Sequence, residues 1–116
     1  MTKKIINKPW GKFEEFTENE PSTVKILTIL PGQGTSLQSH KYREEFWKIL
    51  KGSPVVTINK KETTTKEGEE FSVLREEEHR IEVKDGDAEA QILEISFGKF
   101  DEEDIERLQD KYGRSS

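Results

Sequence analysis

Short runs of β-branched and aromatic residues, each ended by a turn signal, constrain the fold of this chain more than any other feature. Breaks such as Pro31-Gly32, Asn59-Lys60 and the stretch 84–87 separate these runs. The pattern is typical of an antiparallel barrel or sandwich. The predicted strands cover residues 24–30, 35–39, 45–51, 55–58, 62–65, 71–74, 79–83 and 88–97.

The tail of the chain changes character and predicts a short C-terminal helix. Asp101 suits an N-cap, and the three acidic residues that follow it would lie in a first turn, where negative charge is favourable. Ile105, Leu108 and Tyr112 recur at helical spacing, and Gly113 supplies a stop. We expect this helix to pack on the barrel and residues 1–116 to form one domain.

Charge and composition exclude several classes of function. The net charge of −5 leaves no excess of cations to displace counterions from a nucleic acid, although local basic residues could hold a small phosphorylated ligand. The absence of cysteine excludes disulfides and thiolate metal sites. No apolar run approaches the roughly 18 residues of a membrane span, and the N-terminus lacks a signal-peptide core. A cytoplasmic protein with no nucleic-acid or membrane partner is expected.

The two histidines of the chain carry the main chemical signal. His40 follows a strand-like stretch, Glu45 opens the next strand, and His79 opens another. Alternate side chains of neighbouring strands point into a small barrel, so these residues can converge there. Imidazole and carboxylate suit zinc, iron, manganese or nickel, and Gln38, two residues before His40, offers a fourth oxygen ligand. The alternative is that both histidines are ordinary surface or core residues.

The spacing of these residues resembles the two cupin motifs. In the first motif, Gly34, His40, Glu45 and Gly52 fit the frame, while Tyr42 stands where a second histidine is expected. In the second motif the glycine and histidine positions are kept, but its Pro, Gly and Asn are replaced by Leu74, Glu76 and Val83. The resemblance implies an all-β cupin fold, a double-stranded β-helix or jelly-roll barrel.

A closer resemblance covers nearly the whole chain. The sequence is similar to the cupin domain that ends bifunctional type II mannose-6-phosphate isomerase/mannose-1-phosphate guanylyltransferases. The matching segments, in order, are residues 8–11, 31–32, 36–40, 43–47, 103–105 and 110–114. The resemblance implies a metal-dependent aldose–ketose isomerase that interconverts mannose 6-phosphate and fructose 6-phosphate. The resemblance does not extend to the nucleotidyltransferase domain, so guanylyltransferase activity is not expected of this chain.

The resemblance also implies a set of metal ligands. Type I mannose-6-phosphate isomerases, which are also cupins, resemble this chain in a Gln-x-His pair, a glutamate before x-Trp and a later histidine. Gln38, His40, Glu45 and His79 supply these four by type. Zinc is the first expectation, with manganese, iron, cobalt or nickel as alternatives. Tyr42 could withdraw from the metal, ligate it weakly or mark a domain that has lost its site.

Three further residues are candidates for catalysis or substrate binding. Arg43 shares strand parity with Glu45, and a guanidinium can clamp a phosphate bidentately. Arg114, in the family-like Tyr-Gly-Arg ending, could contribute from the tail. Glu94 lies within an apolar run, where a carboxylate needs a partner or a raised pKa, and is the candidate general base. Surface charge or helix capping is the alternative for the arginines, and a structural ion pair is the alternative for Glu94.

A second functional hypothesis belongs to another class. The chain could be a non-catalytic cupin that binds a sugar phosphate or sugar nucleotide, or a partner domain of a separate enzyme. Tyr42 and the incomplete second motif favour it. Metal content and turnover distinguish the two hypotheses. Under either one a small sugar phosphate is the expected ligand, and the resemblance to cupins allows a homodimer.

Overall fold

Eleven strands make up the regular structure of the computed structural model, which describes residues 3–110, 112 and 113. No helix that could cross a membrane occurs in this part of the chain. The strands are β1 Lys4–Lys8, β2 Gly11–Glu15, β3 Ser22–Ile29, β4 Leu37–Ser39, β5 Glu44–Lys51, β6 Val55–Ile58, β7 Lys61–Thr64, β8 Glu70–Val73, β9 His79–Glu82, β10 Ala90–Phe97 and β11 Glu106–Gln109.

Two antiparallel sheets enclose the hydrophobic core. One sheet has the strand order β3-β10-β5-β8, and the other has the order β11-β4-β9-β6-β7. Alternate residues of each strand face the opposite sheet, as expected where one face of a sheet is buried. The core draws on both sheets and contains Ile29, Trp47, Ile49, Val56, Val73, Ile81, Val83, Ala90 and Ile92. The metal-ligand candidates lie on the same inward face, at one end of this apolar layer.

The all-β fold and its eight central strands agree with the sequence prediction. Each predicted strand corresponds to one of β3–β10, with ends that agree within two residues. The turn at Asn59-Lys60 is also confirmed, because Ile58 pairs with Lys61 across a two-residue loop. The φ angles of Asn59 and Lys60 are 47° and 68°, the left-handed values that a type I′ hairpin requires.

The predicted C-terminal helix is wrong. Residues Glu106–Gln109 form strand β11, which pairs antiparallel with β4. Asp101 does accept a backbone N–H, that of Glu103, but this contact closes an isolated turn rather than a helix. Strand β4 would otherwise be an edge of its sheet, and pairing with it outweighs the weak helical preference of a short acidic segment.

The N-terminal hairpin β1–β2 was not predicted. Its strands carry few apolar residues and bury little surface, so their hydrophobic pattern gave no strand signal. After the hairpin, Phe16 packs against Phe46 on the outer face of β5, with ring centroids 5.1 Å apart. This contact attaches the N-terminal segment to the sheet that carries Glu45.

Candidate metal centre and adjoining cavity

The register of three strands places the carboxylates of the candidate site. Glu45 on β5 is the cross-strand partner of Ser96 on β10. Glu94, two residues before Ser96, therefore lies on the same inward face, opposite Trp47. Strand β3 continues this row, because Lys25 is the direct partner of Glu94. One face of one sheet thus carries two carboxylates and a lysine beside the apolar core.

His40, Glu45 and His79 form a buried cluster at this end of the barrel. Their exposed fractions are 3%, 4% and 1%, and their ligand atoms all lie within 4.8 Å of one another. Oε2 of Glu45 lies 3.6 Å from Nε2 of His40, and Oε1 lies 3.7 Å from Nε2 of His79. Trp47 donates its indole N–H to Oε1 of Glu45 at 3.1 Å, which fixes the carboxylate.

Backbone carbonyls orient both imidazole rings. Nδ1 of His40 lies 2.5 Å from the carbonyl oxygen of Asp104, and Nδ1 of His79 lies 2.9 Å from that of Glu77. A carbonyl only accepts, so in the neutral rings the proton sits on Nδ1 and the Nε2 lone pairs point toward Glu45. Burial lowers the pKa of both histidines, which favours these neutral rings.

The donor set fits a divalent metal ion. Nε2 of His79 is buried and has no hydrogen-bond partner in the described part of the chain, so it is an unused ligand atom. Two neutral imidazoles held by carbonyls through their second nitrogen, together with one carboxylate, are ligands that transition metals accept. The cluster could therefore hold a metal ion, as the sequence predicted for these three residues.

Arg43 connects the cluster to its surroundings. Its Nε donates to Oε2 of Glu45 at 3.0 Å, and Nη2 lies 3.1 Å from Nε2 of His40. Nη1 donates to the carbonyl oxygen of Asp101 at 3.4 Å. All three guanidinium nitrogens are thus engaged, and a metal ion that takes Nε2 of His40 must displace the Nη2 contact.

A cavity of about 610 Å³ adjoins the cluster. Arg43 and Glu94 both line it, together with Gln38 and Lys25. Burial, followed by the neighbouring carboxylate of Glu45, raises the pKa of Glu94 to about 7. Ser96 donates a long hydrogen bond of 3.5 Å to Oε1 of Glu94. The cavity is large enough for a small ligand to reach the side chains that contact the cluster.

The other predicted site residues have different positions. Gln38 is the cross-strand partner of His79, and its Oε1 accepts a hydrogen bond of 2.9 Å from Ser36. Tyr42 is 69% exposed, so its side chain does not join the buried cluster. Arg114 lies outside the described residues, and its predicted role stays a prediction.

Comparison with known protein families gives a match over almost the whole chain. The family described as mannose-6-phosphate isomerase C-terminal matches residues 1–110. The chain belongs to this family. The resemblance expected from the sequence is therefore confirmed over almost the whole chain.

Relatives in the mannose-6-phosphate isomerase C-terminal family include much longer proteins. A mannose-1-phosphate guanylyltransferase of Salmonella typhimurium is 33% identical over 94% of this chain. The alginate biosynthesis protein AlgA of Pseudomonas aeruginosa is 32% identical over 96% of this chain. The chain spans 23% of the length of each of these relatives.

Solved structures confirm the cupin fold. A cupin-2 domain from Rhodospirillum rubrum has a TM-score of 0.65 and 16% identity, over 75% of this chain and 58% of that one. A putative sugar phosphate isomerase from Acidithiobacillus ferrooxidans has a TM-score of 0.61 and 22% identity, over 67% of this chain and 51% of that one. At these identities the likeness concerns the fold alone.

Two residues at the site were missed from the sequence. Asp104 was assigned to the first turn of a helix, yet its carbonyl oxygen contacts His40 and its carboxylate accepts the N–H groups of Lys41 and Tyr42. Lys25 gave no clear sequence signal, because apolar residues occur at both parities of β3, and the burial pattern of the strand is what places it inward.

Proposed function

We propose that this chain is a metal-dependent aldose–ketose isomerase that interconverts mannose 6-phosphate and fructose 6-phosphate. The observation that carries the proposal is the buried cluster of His40, Glu45 and His79, which Arg43 connects to a cavity that also contains Glu94. Membership of the mannose-6-phosphate isomerase C-terminal family supports the same reaction.

The reaction moves a proton between neighbouring carbons of the sugar. A base takes the proton from C2 of the aldose, which gives an enediolate. The proton of the C2 hydroxyl then moves to the oxygen of C1, and the base returns its proton to C1. A divalent ion held by the cluster would polarise the sugar oxygens and stabilise the negative charge that develops there. Glu94 is the proposed base, because it lies in the cavity beside the cluster on the inward face of β10.

Zinc is the metal that we propose first, with manganese, iron, cobalt and nickel as alternatives. Two imidazoles and one carboxylate are ligands that all these ions accept, and zinc commonly binds three such side chains in catalytic sites. Gln38 is the proposed fourth ligand, because it is the cross-strand partner of His79. Arg43 would hold Glu45 in place during the reaction through its Nε hydrogen bond.

Turnover after metal reconstitution tests the proposal. Chelator-treated protein is reloaded separately with zinc, manganese, iron, cobalt or nickel and assayed for formation of fructose 6-phosphate. At least one ion is expected to give turnover that His40→Ala and Glu45→Ala abolish, while Glu62→Ala, a change at an exposed strand residue, leaves it intact. If no ion gives a rate above the protein-free blank, the isomerase proposal is wrong.

The exposure of Tyr42 supports a second candidate function. Tyr42 stands at the second histidine position of the first cupin motif and faces solvent, so the cluster has one fewer histidine ligand than that motif implies. The relative from Salmonella typhimurium is named for guanylyl transfer rather than for isomerisation. The chain would then be a non-catalytic domain that binds a sugar phosphate or sugar nucleotide, or a partner of a separate enzyme. Saturable binding of mannose 6-phosphate by the metal-loaded protein without turnover would support this candidate over the isomerase.

A further inference from the structure

Lys25 is a half-buried cation on the inward face of β3, at the wall of the cavity. Its direct cross-strand partner is Glu94. No ion pair within 4.0 Å involves Lys25 in the described part of the chain, although its charge lowers the pKa of Glu94 at longer range. Its ammonium lies over the face of Phe100, 4.1 Å from the ring centroid. A half-buried lysine with no ion pair within 4.0 Å keeps a charge that an anion bound in the cavity would compensate.

Arg43 contacts the same aromatic ring. Its guanidinium carbon lies 4.6 Å from the centroid of Phe100, so two cations share one ring at the cavity wall. Their environments differ, because the three nitrogens of Arg43 are all engaged by Glu45, His40 and a backbone carbonyl. Lys25 is therefore the cation of this pair whose donors remain available to a ligand in the cavity.

We propose that Lys25 binds the phosphate group of the substrate and so selects phosphorylated sugars. This inference rests on the proposed function for the identity of the sugar, but the phosphate site itself rests on the position of Lys25. A lysine binds phosphate as a compact charge with three donors. The sequence predicted that Arg43 would bind the phosphate, whereas in this arrangement Arg43 holds the ligand cluster and Lys25 binds the phosphate.

The cavity wall carries more positive than negative side chains, although the chain as a whole is acidic. The net charge is −5, yet the described residues that line the cavity include two cations, Lys25 and Arg43, and one carboxylate, Glu94. Arg43 is already neutralised by Glu45 at 3.0 Å. A dianionic phosphate beside Lys25 would compensate its charge and lie within the same cavity as Glu94, where the sugar carbons must react.

Binding measurements with two probes test this inference. The full chain is titrated with inorganic phosphate and with mannose 6-phosphate, using isothermal calorimetry, before and after metal loading. Lys25→Met keeps the length of the side chain and removes the charge, and Lys25→Arg keeps the charge. Lys61→Met is the matched control, because Lys61 is an exposed lysine on β7 in the other sheet.

We expect Lys25→Met to weaken the binding of both probes by about 10- to 100-fold, the usual value of a hydrogen bond to a charged group. Lys25→Arg should retain most of the affinity, and Lys61→Met should not change it. Wild-type affinity for phosphate in Lys25→Met would overturn the inference, as would the absence of phosphate binding to the wild-type chain. If Lys25→Met does not fold, Lys25→Gln serves as the second charge-removing variant: a loss of about 10-fold or more in phosphate affinity in folded Lys25→Gln supports the inference, and wild-type affinity overturns it.

The test of the phosphate site can fail or succeed independently of the test of isomerase activity. An active enzyme in which Lys25→Met leaves KM for mannose 6-phosphate unchanged would overturn the phosphate site and leave the isomerase standing. A chain that binds phosphate through Lys25 and shows no turnover with any metal would overturn the isomerase and leave the phosphate site standing.

Discussion

Nδ1 of His40 lies 2.5 Å from the carbonyl oxygen of Asp104, although 64 residues separate the two along the chain. This contact attaches the C-terminal segment to a candidate metal ligand and fixes the tautomer of its ring. The carboxylate of Asp104 strengthens the attachment by accepting the N–H groups of Lys41 and Tyr42 at 2.9 and 3.0 Å. The segment that continues into β11 therefore forms part of the site.

Removal of the Asp104 carboxylate is expected to weaken metal binding indirectly. Asp104→Ala loses two backbone hydrogen bonds, which should cost about 1–3 kcal/mol of unfolding free energy. The carbonyl that orients His40 would then be less well held, so zinc affinity should fall about 10-fold. Urea unfolding and zinc titration measure the two effects. An unchanged zinc affinity in a destabilised Asp104→Ala would show that the carboxylate does not support the ligand.

Restoration of the missing motif histidine is expected to have little effect. Tyr42 is 69% exposed, whereas His40, Glu45 and His79 are 1–4% exposed. Tyr42→His should therefore change zinc affinity by less than about 2-fold, because its imidazole would lie in solvent. A competition assay with a coloured chelator measures this. Tightening of 10-fold or more would mean that the loop turns inward when a histidine is present.

The sequence predicted the central strands well because their alternating pattern is strong. It also predicted the convergence of His40, Glu45 and His79, because strand parity places these side chains on inward faces. It failed at the tail for a physical reason. The pairing of β11 with β4 depends on an edge strand that is distant in sequence, which local helix signals do not contain. The contacts of Arg43 with His40 and Glu45 likewise depend on the tertiary structure. The position of Arg43 in the strand pattern predicted that its side chain points inward, but not which residues it contacts.

Substitution of Glu94 is expected to change the pH dependence of stability in the metal-free protein. Burial and then the charge of Glu45 raise the pKa of Glu94 from 4.5 to about 7 in the folded state. The unfolded chain therefore binds fewer protons between about pH 4.5 and 7, and stability falls as the pH rises through this window. The Glu94→Gln side chain has no proton to lose. Its free energy of unfolding, compared with that of wild type, should therefore be about 1–3 kcal/mol higher at pH 8 than at pH 5.

Thermal unfolding of chelator-treated protein at the two pH values measures this difference. Glu62→Gln serves as the control, since Glu62 is an exposed carboxylate on a strand. The same stability difference between Glu94→Gln and wild type at pH 5 and pH 8 would contradict the raised pKa of Glu94.

Two glycines with similar backbone angles are expected to respond differently to alanine. Gly52 and Gly68 have φ values of +82° and +88°, so each substitution carries the strain of a left-handed residue, about 1–2 kcal/mol. A Cβ at Gly52 would also lie 2.9 Å from the carbonyl oxygen of Glu89, whereas the space around Gly68 is open. Gly52→Ala should therefore lower the free energy of unfolding, measured with urea, by about 1–3 kcal/mol more than Gly68→Ala does. Equal losses would mean that β10 shifts to relieve the contact.

The central claim is that His40, Glu45 and His79 bind one metal ion together. X-ray absorption at the zinc edge, on protein loaded with one equivalent of zinc, tests it most directly. We predict two imidazole nitrogens at about 2.0–2.1 Å, with one imidazole lost in His79→Ala. A zinc shell made only of oxygen atoms, or a spectrum that His79→Ala leaves unchanged, would contradict the claim.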